Sequence, residues 1–198
     1  MPGRWLLLVL FVALAVLLAG VALRPQTEPV PPPTGGDFVL QSADGPVDTR
    51  TLRGKVVLIT FGYTYCPDIC PTTLATLAEA VKQLSPAEAR HLAVLFVSVD
   101  PERDTPPRLK DYAAFFHPAI VGVTGSRAQV DEAARRYGVS YARHDVGGGN
   151  YLVDHSAWTY LVAADGRLVD RIAYGTPAEQ ITAAVRKQLH QTTSKGTP

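Results

Sequence analysis

The sequence predicts a three-layer α/β sandwich with a mixed central sheet. Apolar runs typical of buried strands alternate with segments of helical spacing, and a hairpin followed by one more helix closes the chain. This alternation indicates parallel strands joined by helices, whereas the closing hairpin makes the sheet mixed. Hydrophobic residues form 46% of the 198 residues, which is ample for a core.

The domain is predicted to open with a β-hairpin and a buried strand. Residues 38–40 and 47–49 flank an Asp44-Gly45 turn, which is a hairpin pattern. Residues 55–61 are almost continuously apolar, as expected of a strand that is buried on both faces.

The remaining elements follow from helical spacing, capping residues and turn signals. They are a helix over 72–84, a strand over 92–99, a helix from Thr105-Pro106, a strand over 119–123, a helix over 126–137 ending at Gly138, a hairpin of 158–162 and 168–173, and a helix from Thr176-Pro177 to about His190.

An apolar segment near the N-terminus predicts one transmembrane helix. Residues 5–23 carry no charge, and as a helix they would span roughly 28 Å, close to the hydrocarbon thickness of a bilayer. Arg4 and the terminal amine favour a cytoplasmic N-terminus. A cleaved signal peptide is the alternative, because residues 19–22 are small, but the apolar run is longer than a usual signal sequence.

The chain therefore divides into four predicted segments. These are an anchor over 1–24, a Pro-rich linker over 25–36, a folded domain over 37–190 and a tail over 191–198. Five prolines between Pro25 and Pro33 favour an extended, semi-rigid spacer. The few residues before the apolar run leave no room for a transit peptide, so we expect a bacterial inner membrane, with the domain on the periplasmic side.

Charge and cysteine content exclude two classes of protein. The chain has 19 basic and 18 acidic residues and no basic run, so it lacks the electrostatic footprint of a nucleic-acid-binding protein. Its two cysteines cannot form the framework of a disulfide-rich domain. Cys66 and Cys70 are therefore free for chemistry.

The two cysteines lie where a buried strand turns into a helix. We expect this helix to begin near Pro71, with Cys70 at its cap and Cys66 in the preceding turn. The positive end of a helix favours thiolates, which are ligands that a soft metal prefers. A local structural disulfide is the alternative, although closing so short a loop stabilises a fold little.

A third ligand is sought among five histidines, namely His91, His117, His144, His155 and His190. His155 precedes the apolar strand over 158–162 and follows a Gly-rich loop, which in a thioredoxin-like sheet faces the turn carrying Cys66. His155 is therefore the predicted ligand and His144 the second choice. Asp154 is expected either to orient the His155 imidazole or to cap the strand.

Three motifs occur in one order behind a single apolar segment: FGYTYCPDICP at 61–71, SVDPERDTP at 98–106 and DHS at 154–156. Together they resemble the Sco/SenC family of cytochrome c oxidase copper chaperones, over about residues 37–189. The resemblance implies a thioredoxin-like fold and a copper ion bound by Cys66, Cys70 and His155. It also implies assistance to the CuA centre of oxidase subunit II, by metal transfer, thiol reduction or both.

The sequence departs from the family at Tyr65, where a histidine is common before the first cysteine. Because that histidine is not one of the three usual ligands, the departure affects only an outer role of the position. Residues 100–104 are read either as a strand end with a helix cap or as functional residues, which would form a partner surface or support the ligands from outside the ligand set.

Three functions of different classes remain, and the simplest is an interaction module that keeps the motif but binds no metal. Two thiolates and a neutral imidazole suit Cu(I), with Cu(II) as a second state, in a metallochaperone that receives copper from a periplasmic donor. The rival is a thiol-disulfide oxidoreductase or peroxidase that uses Cys66 and Cys70 as a redox pair. Three residues rather than two separate the cysteines, and residues 151–160 contain no proline, so metal binding is favoured.

Overall fold

The computed structural model describes residues 33–195, with side chains to Gln191, and Trp5, Leu10 and Phe11 of the N-terminal segment. The chain divides into two units, Met1–Pro31 and Pro32–Pro198, and the fold given below is that of the second. Most of the predicted anchor and most of the predicted linker lie outside the described residues. No helix within the described part of the chain has the length and apolarity needed to cross a membrane.

Residues 33–195 form nine strands and five α-helices, with a short 3-10 helix at Thr49–Leu52. The strands are β1 (Val39–Ser42), β2 (Gly45–Asp48), β3 (Val56–Gly62), β4 (Leu92–Ser98), β5 (Ile120–Val123), β6 (Tyr141–Gly147), β7 (Asn150–His155), β8 (Thr159–Val162) and β9 (Leu168–Ile172). The helices are α1 (Ile69–Lys82), α2 (Pro86–Ala89), α3 (Pro106–Phe116), α4 (Arg127–Tyr137) and α5 (Ala178–Lys195).

The central sheet has five strands in the order β5-β4-β3-β8-β9. Strand β3 pairs in parallel with β4, and β4 with β5, whereas β8 runs antiparallel to both β3 and β9. The predicted mixed sheet is therefore confirmed. Two further sheets of two strands each, β1-β2 and β6-β7, lie outside it.

Successive residues of β3 supply two cores, because side chains alternate between the faces of a strand. Val57, Ile59 and Phe61 pack in a core with residues of α4 and the opening hairpin. Val56 and Leu58 pack in a second core with residues of α1, α3 and α5. The sheet is thus covered on both faces, which is the expected three-layer sandwich.

The predicted strands and helices are confirmed with small shifts at their ends. The Thr105 hydroxyl accepts a hydrogen bond from the Arg108 backbone N–H, as expected of a helix N-cap. Gly138 ends α4 with a φ of 64°, a left-handed conformation that favours glycine. The last helix continues to Lys195, beyond the expected end near His190.

Two local predictions are wrong. Helix α1 begins at Ile69 with Asp68 as its N-cap, so Cys70 lies inside the first turn and Pro71 is the third helical residue. Proline is tolerated there because the first N–H groups of a helix have no intrahelical acceptor. The stretch before His155 is a β-hairpin, β6-β7, rather than a Gly-rich loop that leads into the next strand.

Candidate metal centre

The first cysteine lies in a loop that joins β3 to α1, and we call residues 63–68 the cysteine loop. The Cys66 backbone N–H donates to the Tyr63 carbonyl over 3.2 Å, which closes a tight turn at its centre. Cys66 is partly exposed, whereas Cys70, on α1, is buried with 3% exposure. The two side chains are free cysteines, not joined by a disulfide.

A buried carboxylate fixes the start of the cysteine loop. Asp104 accepts hydrogen bonds from the Thr64 backbone N–H at 2.9 Å and the Thr64 hydroxyl at 2.6 Å. Its second oxygen also accepts from the Ser98 hydroxyl at 2.6 Å, at the end of β4. The outer role predicted as one alternative for residues 100–104 fits Asp104, which supports the cysteine loop in the structure.

The imidazole of His155 reaches the same place from the end of β7. Its Nε2 lies 3.2 Å from the Cys70 sulfur, and its Nδ1 lies 3.1 Å from the Ser156 carbonyl oxygen. A carbonyl can only accept, so Nδ1 carries the proton in the neutral ring and the Nε2 lone pair faces the sulfur. The Tyr63 ring meets the imidazole edge to face, with centroids 6.0 Å apart.

The structure brings the three predicted residues together. One ligand atom from each of Cys66, Cys70 and His155 lies within 4.8 Å of the others. Donor atoms around a three-coordinate ion with ordinary metal–sulfur and metal–nitrogen bonds lie roughly 4 Å apart. Only a small closure separates the observed arrangement from a ligand set.

Room for the buried sulfur comes from the absence of a side chain at Gly62. A Cβ atom at that position would lie 2.5 Å from the Cys70 sulfur and 2.8 Å from the Phe96 ring. Gly62 has no positive φ, so the requirement here is space rather than backbone conformation. This role of Gly62 was not predicted from the sequence, because the predicted strand ends at residue 61 and Gly62 enters only as part of the motif at 61–71.

When one of the two thiols loses its proton, the remaining proton stays on Cys70. The pKa of Cys66 is lowered far below its usual value, chiefly because the Cys70 thiol donates to its sulfur, and the backbone N–H groups of Asp68 and Cys70 add to this effect. The same hydrogen bond and burial raise the pKa of Cys70. Cys66 therefore has the thiolate character expected at a helix N-terminus, whereas Cys70 keeps its proton.

The second-choice ligand lies elsewhere on the hairpin. His144 is exposed, and its Nε2 is 3.3 Å from a carboxylate oxygen of Asp154. Asp154 therefore contacts His144, and the group that fixes the His155 ring is the Ser156 carbonyl. The expectation that Asp154 orients His155 is wrong because neighbouring residues of a strand point to opposite faces.

The fold and the site define a thioredoxin-like domain that carries a cysteine pair and a histidine at one end of its sheet. A family model for SCO1/SenC proteins matches residues 26–190. A SCO2-like protein of Rickettsia conorii is 38% identical over 157 residues, which cover 78% of this chain and 76% of that protein. The chain belongs to the SCO1/SenC family.

Solved structures agree with this assignment. ScoI of Bradyrhizobium japonicum, solved with copper bound, matches with a TM-score of 0.73 and 36% identity, covering 78% of this chain and 99% of that one. BsSco, a member of the Sco family of cytochrome c oxidase assembly proteins in which a disulfide switch was identified, matches with a TM-score of 0.62 and 27% identity, covering 81% and 95%.

Proposed function

We propose that this chain is a copper-binding protein that holds one ion through Cys66, Cys70 and His155, with Cu(I) preferred. The observation that carries the proposal is the convergence of two sulfurs and one imidazole nitrogen within 4.8 Å. Thiolate and imidazole are ligands that suit soft copper. The copper bound to the related ScoI supports the same assignment here.

The protonation of the site fits a metal that enters a reduced dithiol. Cys66 is already inclined to be a thiolate, and the Nε2 lone pair of His155 is available because its proton lies on Nδ1. The proton of Cys70 must leave when its sulfur becomes a ligand, so metal affinity rises with pH. A disulfide between the cysteines would remove both sulfur ligands.

We further propose that copper is passed to the CuA centre of cytochrome c oxidase subunit II after loading from a periplasmic donor. Support comes from the description of the related BsSco as a cytochrome c oxidase assembly protein. The uncharged run over 5–23 supports an anchor over 1–24 in a bacterial inner membrane. A linker over 25–36 then holds the domain, which begins near residue 37, on the periplasmic side. The expected boundary between domain and tail at 190/191 moves toward the C-terminus, because the last helix continues to Lys195.

Anaerobic titration of the reduced protein against a Cu(I) chelator tests the site. One equivalent is expected to bind, with affinity reduced at least ~100-fold in Cys66→Ser, Cys70→Ser and His155→Ala. His144→Ala is the matched control, because it removes an exposed histidine of the same hairpin and should leave affinity unchanged. Equal affinity in the three site variants and the wild type would refute the proposal.

A second function, thiol-disulfide exchange, is favoured by one observation. The lowered pKa of Cys66 and the hydrogen-bonded Cys70 thiol form the usual pair of an attacking and a resolving cysteine. Reduction of an oxidised CuA-site peptide distinguishes the two functions. Activity that requires both cysteines but is undiminished in His155→Ala would favour the oxidoreductase.

A further inference from the structure

The histidine lies on an arm that the central sheet does not hold. Strands β6 and β7 pair only with each other among the described strands, and His155 is the last residue of β7. Most side chains of this hairpin are exposed, and Val153 is its buried residue. Val153 belongs to the core of the domain, with Tyr141 and Tyr151 packed against that core, so apolar packing is one restraint on the hairpin.

The Arg103 guanidinium connects this hairpin to the cysteine loop, in addition to the hydrogen bond that the Val153 backbone N–H donates to the Tyr63 hydroxyl over 3.2 Å. The Arg103 side chain lies over three tyrosine rings, at 3.5 Å from the Tyr151 centroid, 4.6 Å from Tyr65 and 5.6 Å from Tyr63. Tyr63 and Tyr65 belong to the cysteine loop, whereas Tyr151 belongs to β7. Arg103 thus contacts both the loop that carries Cys66 and the hairpin that carries His155.

Hydrogen bonds set the orientation of this contact. The Asp100 carboxylate, 1% exposed, accepts from Arg103 Nε and, at 2.7 Å, from the Tyr151 hydroxyl. Arg103 Nη1 donates to the Tyr151 carbonyl over 3.0 Å. Arg and Asp are therefore paired in the interior, and both also bind the same tyrosine of the hairpin.

In the part of the chain that the structure describes, one nitrogen of Arg103 has only aromatic ring faces as partners. Nη2 is buried and has no hydrogen-bond acceptor among the described residues. Aromatic faces attract guanidinium groups and accept N–H groups weakly, and three such faces surround this side chain. A lysine would keep the charge but lose the planar group that stacks and donates in several directions.

We propose that Arg103 is a positioning residue: it holds the β6-β7 hairpin against the cysteine loop so that His155 Nε2 reaches the two sulfurs. Arg103 touches none of the three sulfur and nitrogen donor atoms and acts through the hairpin. The proposal rests on the proposed function only in so far as His155 is a copper ligand. The mechanical part, in which Arg103 restrains the hairpin, stands on the contacts alone.

Amide hydrogen exchange of the metal-free protein tests the mechanical part. Arg103→Lys should speed exchange in residues 150–155 by about tenfold, the factor expected when local opening no longer breaks one net hydrogen bond. Arg143→Lys is the matched control, because Arg143 stacks on the same Tyr151 ring at 3.7 Å but belongs to the hairpin itself. Unchanged exchange in Arg103→Lys, or equal acceleration in both variants, would overturn the proposal.

Cu(I) affinity then tests whether the restraint acts through His155. Arg103→Lys should lower affinity by about tenfold when His155 is present and have no further effect in a His155→Ala background. An equal loss in both backgrounds would overturn the positioning role. Failure of the wild type to bind Cu(I) would refute the proposed function, while hydrogen exchange would still decide the role of Arg103.

A second variant covers poor folding of the first. Arg103→Gln combined with Asp100→Asn removes both charges of the buried pair together, so that neither is left unpaired. The same acceleration of exchange in residues 150–155 is expected. Exchange at the wild-type rate in a folded double variant would contradict the proposal.

Discussion

Replacing Gly62 by alanine tests whether the space beside β3 fixes the metal site. The new Cβ would lie 2.5 Å from the Cys70 sulfur, whereas non-bonded heavy atoms rest at about 3.5–4.0 Å, so the sulfur must move by about 1 Å. Metal–ligand distances tolerate only about 0.2 Å, so this movement removes Cys70 as a ligand. We expect a loss of at least ~100-fold in Cu(I) affinity and about 1–3 kcal/mol in the free energy of unfolding.

The control is a glycine that has equally little space around it but no part in the proposed metal site. A Cβ at Gly122, on β5, would lie 2.7 Å from both Cβ and the carbonyl oxygen of Leu109. Gly122→Ala should therefore lose a similar free energy of unfolding in urea titration while keeping wild-type Cu(I) affinity. Wild-type affinity in Gly62→Ala, or an equal loss in both variants, would refute the reasoning.

Three more predictions concern the surroundings of the site. Because the pKa of Cys66 is lowered, its thiolate persists at pH 5, and the rate of Cys66 alkylation should fall little from pH 8 to pH 5. The alkylation rate of an ordinary thiol falls by about three orders of magnitude over the same range. Peptide mass spectrometry measures the rate at Cys66, and a fall of that size would contradict the prediction. The Tyr63 hydroxyl accepts a hydrogen bond from the buried Val153 N–H, which Tyr63→Phe removes. This variant should lose about 1–3 kcal/mol in the free energy of unfolding and show faster amide exchange in β7. An unchanged free energy and unchanged exchange would be inconsistent with this hydrogen bond. Asp104→Asn should lower the free energy of unfolding in urea by about 2–3 kcal/mol. The carboxylate accepts three hydrogen bonds with its two oxygens, whereas an amide accepts only through its one oxygen. An unchanged free energy of unfolding would show that these bonds are not needed.

The central fold could be predicted because its signals are local. A strand buried on both faces is apolar throughout, as in β3, and capping residues such as Thr105 and Gly138 satisfy helix ends by themselves. The hairpin β6-β7 escaped prediction because most of its side chains are exposed, so its sequence lacks the alternation of apolar and polar residues that marks a half-buried strand.

The site was predictable in part for a similar reason. Two cysteines at a strand-to-helix turn and a histidine before the next strand are visible in sequence, and the structure brings them together. The roles of Asp104 and Arg103 depend on contacts 40 and 48 residues away along the chain, with Thr64 and Tyr151. The available signal for these roles was the presence of charged residues directly after a buried strand. From local spacing alone, the same residues are equally consistent with the start of a helix.

The unequal burial of the two sulfurs sets the order in which other molecules can reach them. Cys70 is covered by α1 and the sheet and is 3% exposed, whereas Cys66 remains open to solvent. An incoming thiol, oxidant or chelator therefore meets Cys66 first. If the chain holds and passes on copper as proposed, a partner that accepts the ion would begin the exchange at Cys66 and complete it at Cys70.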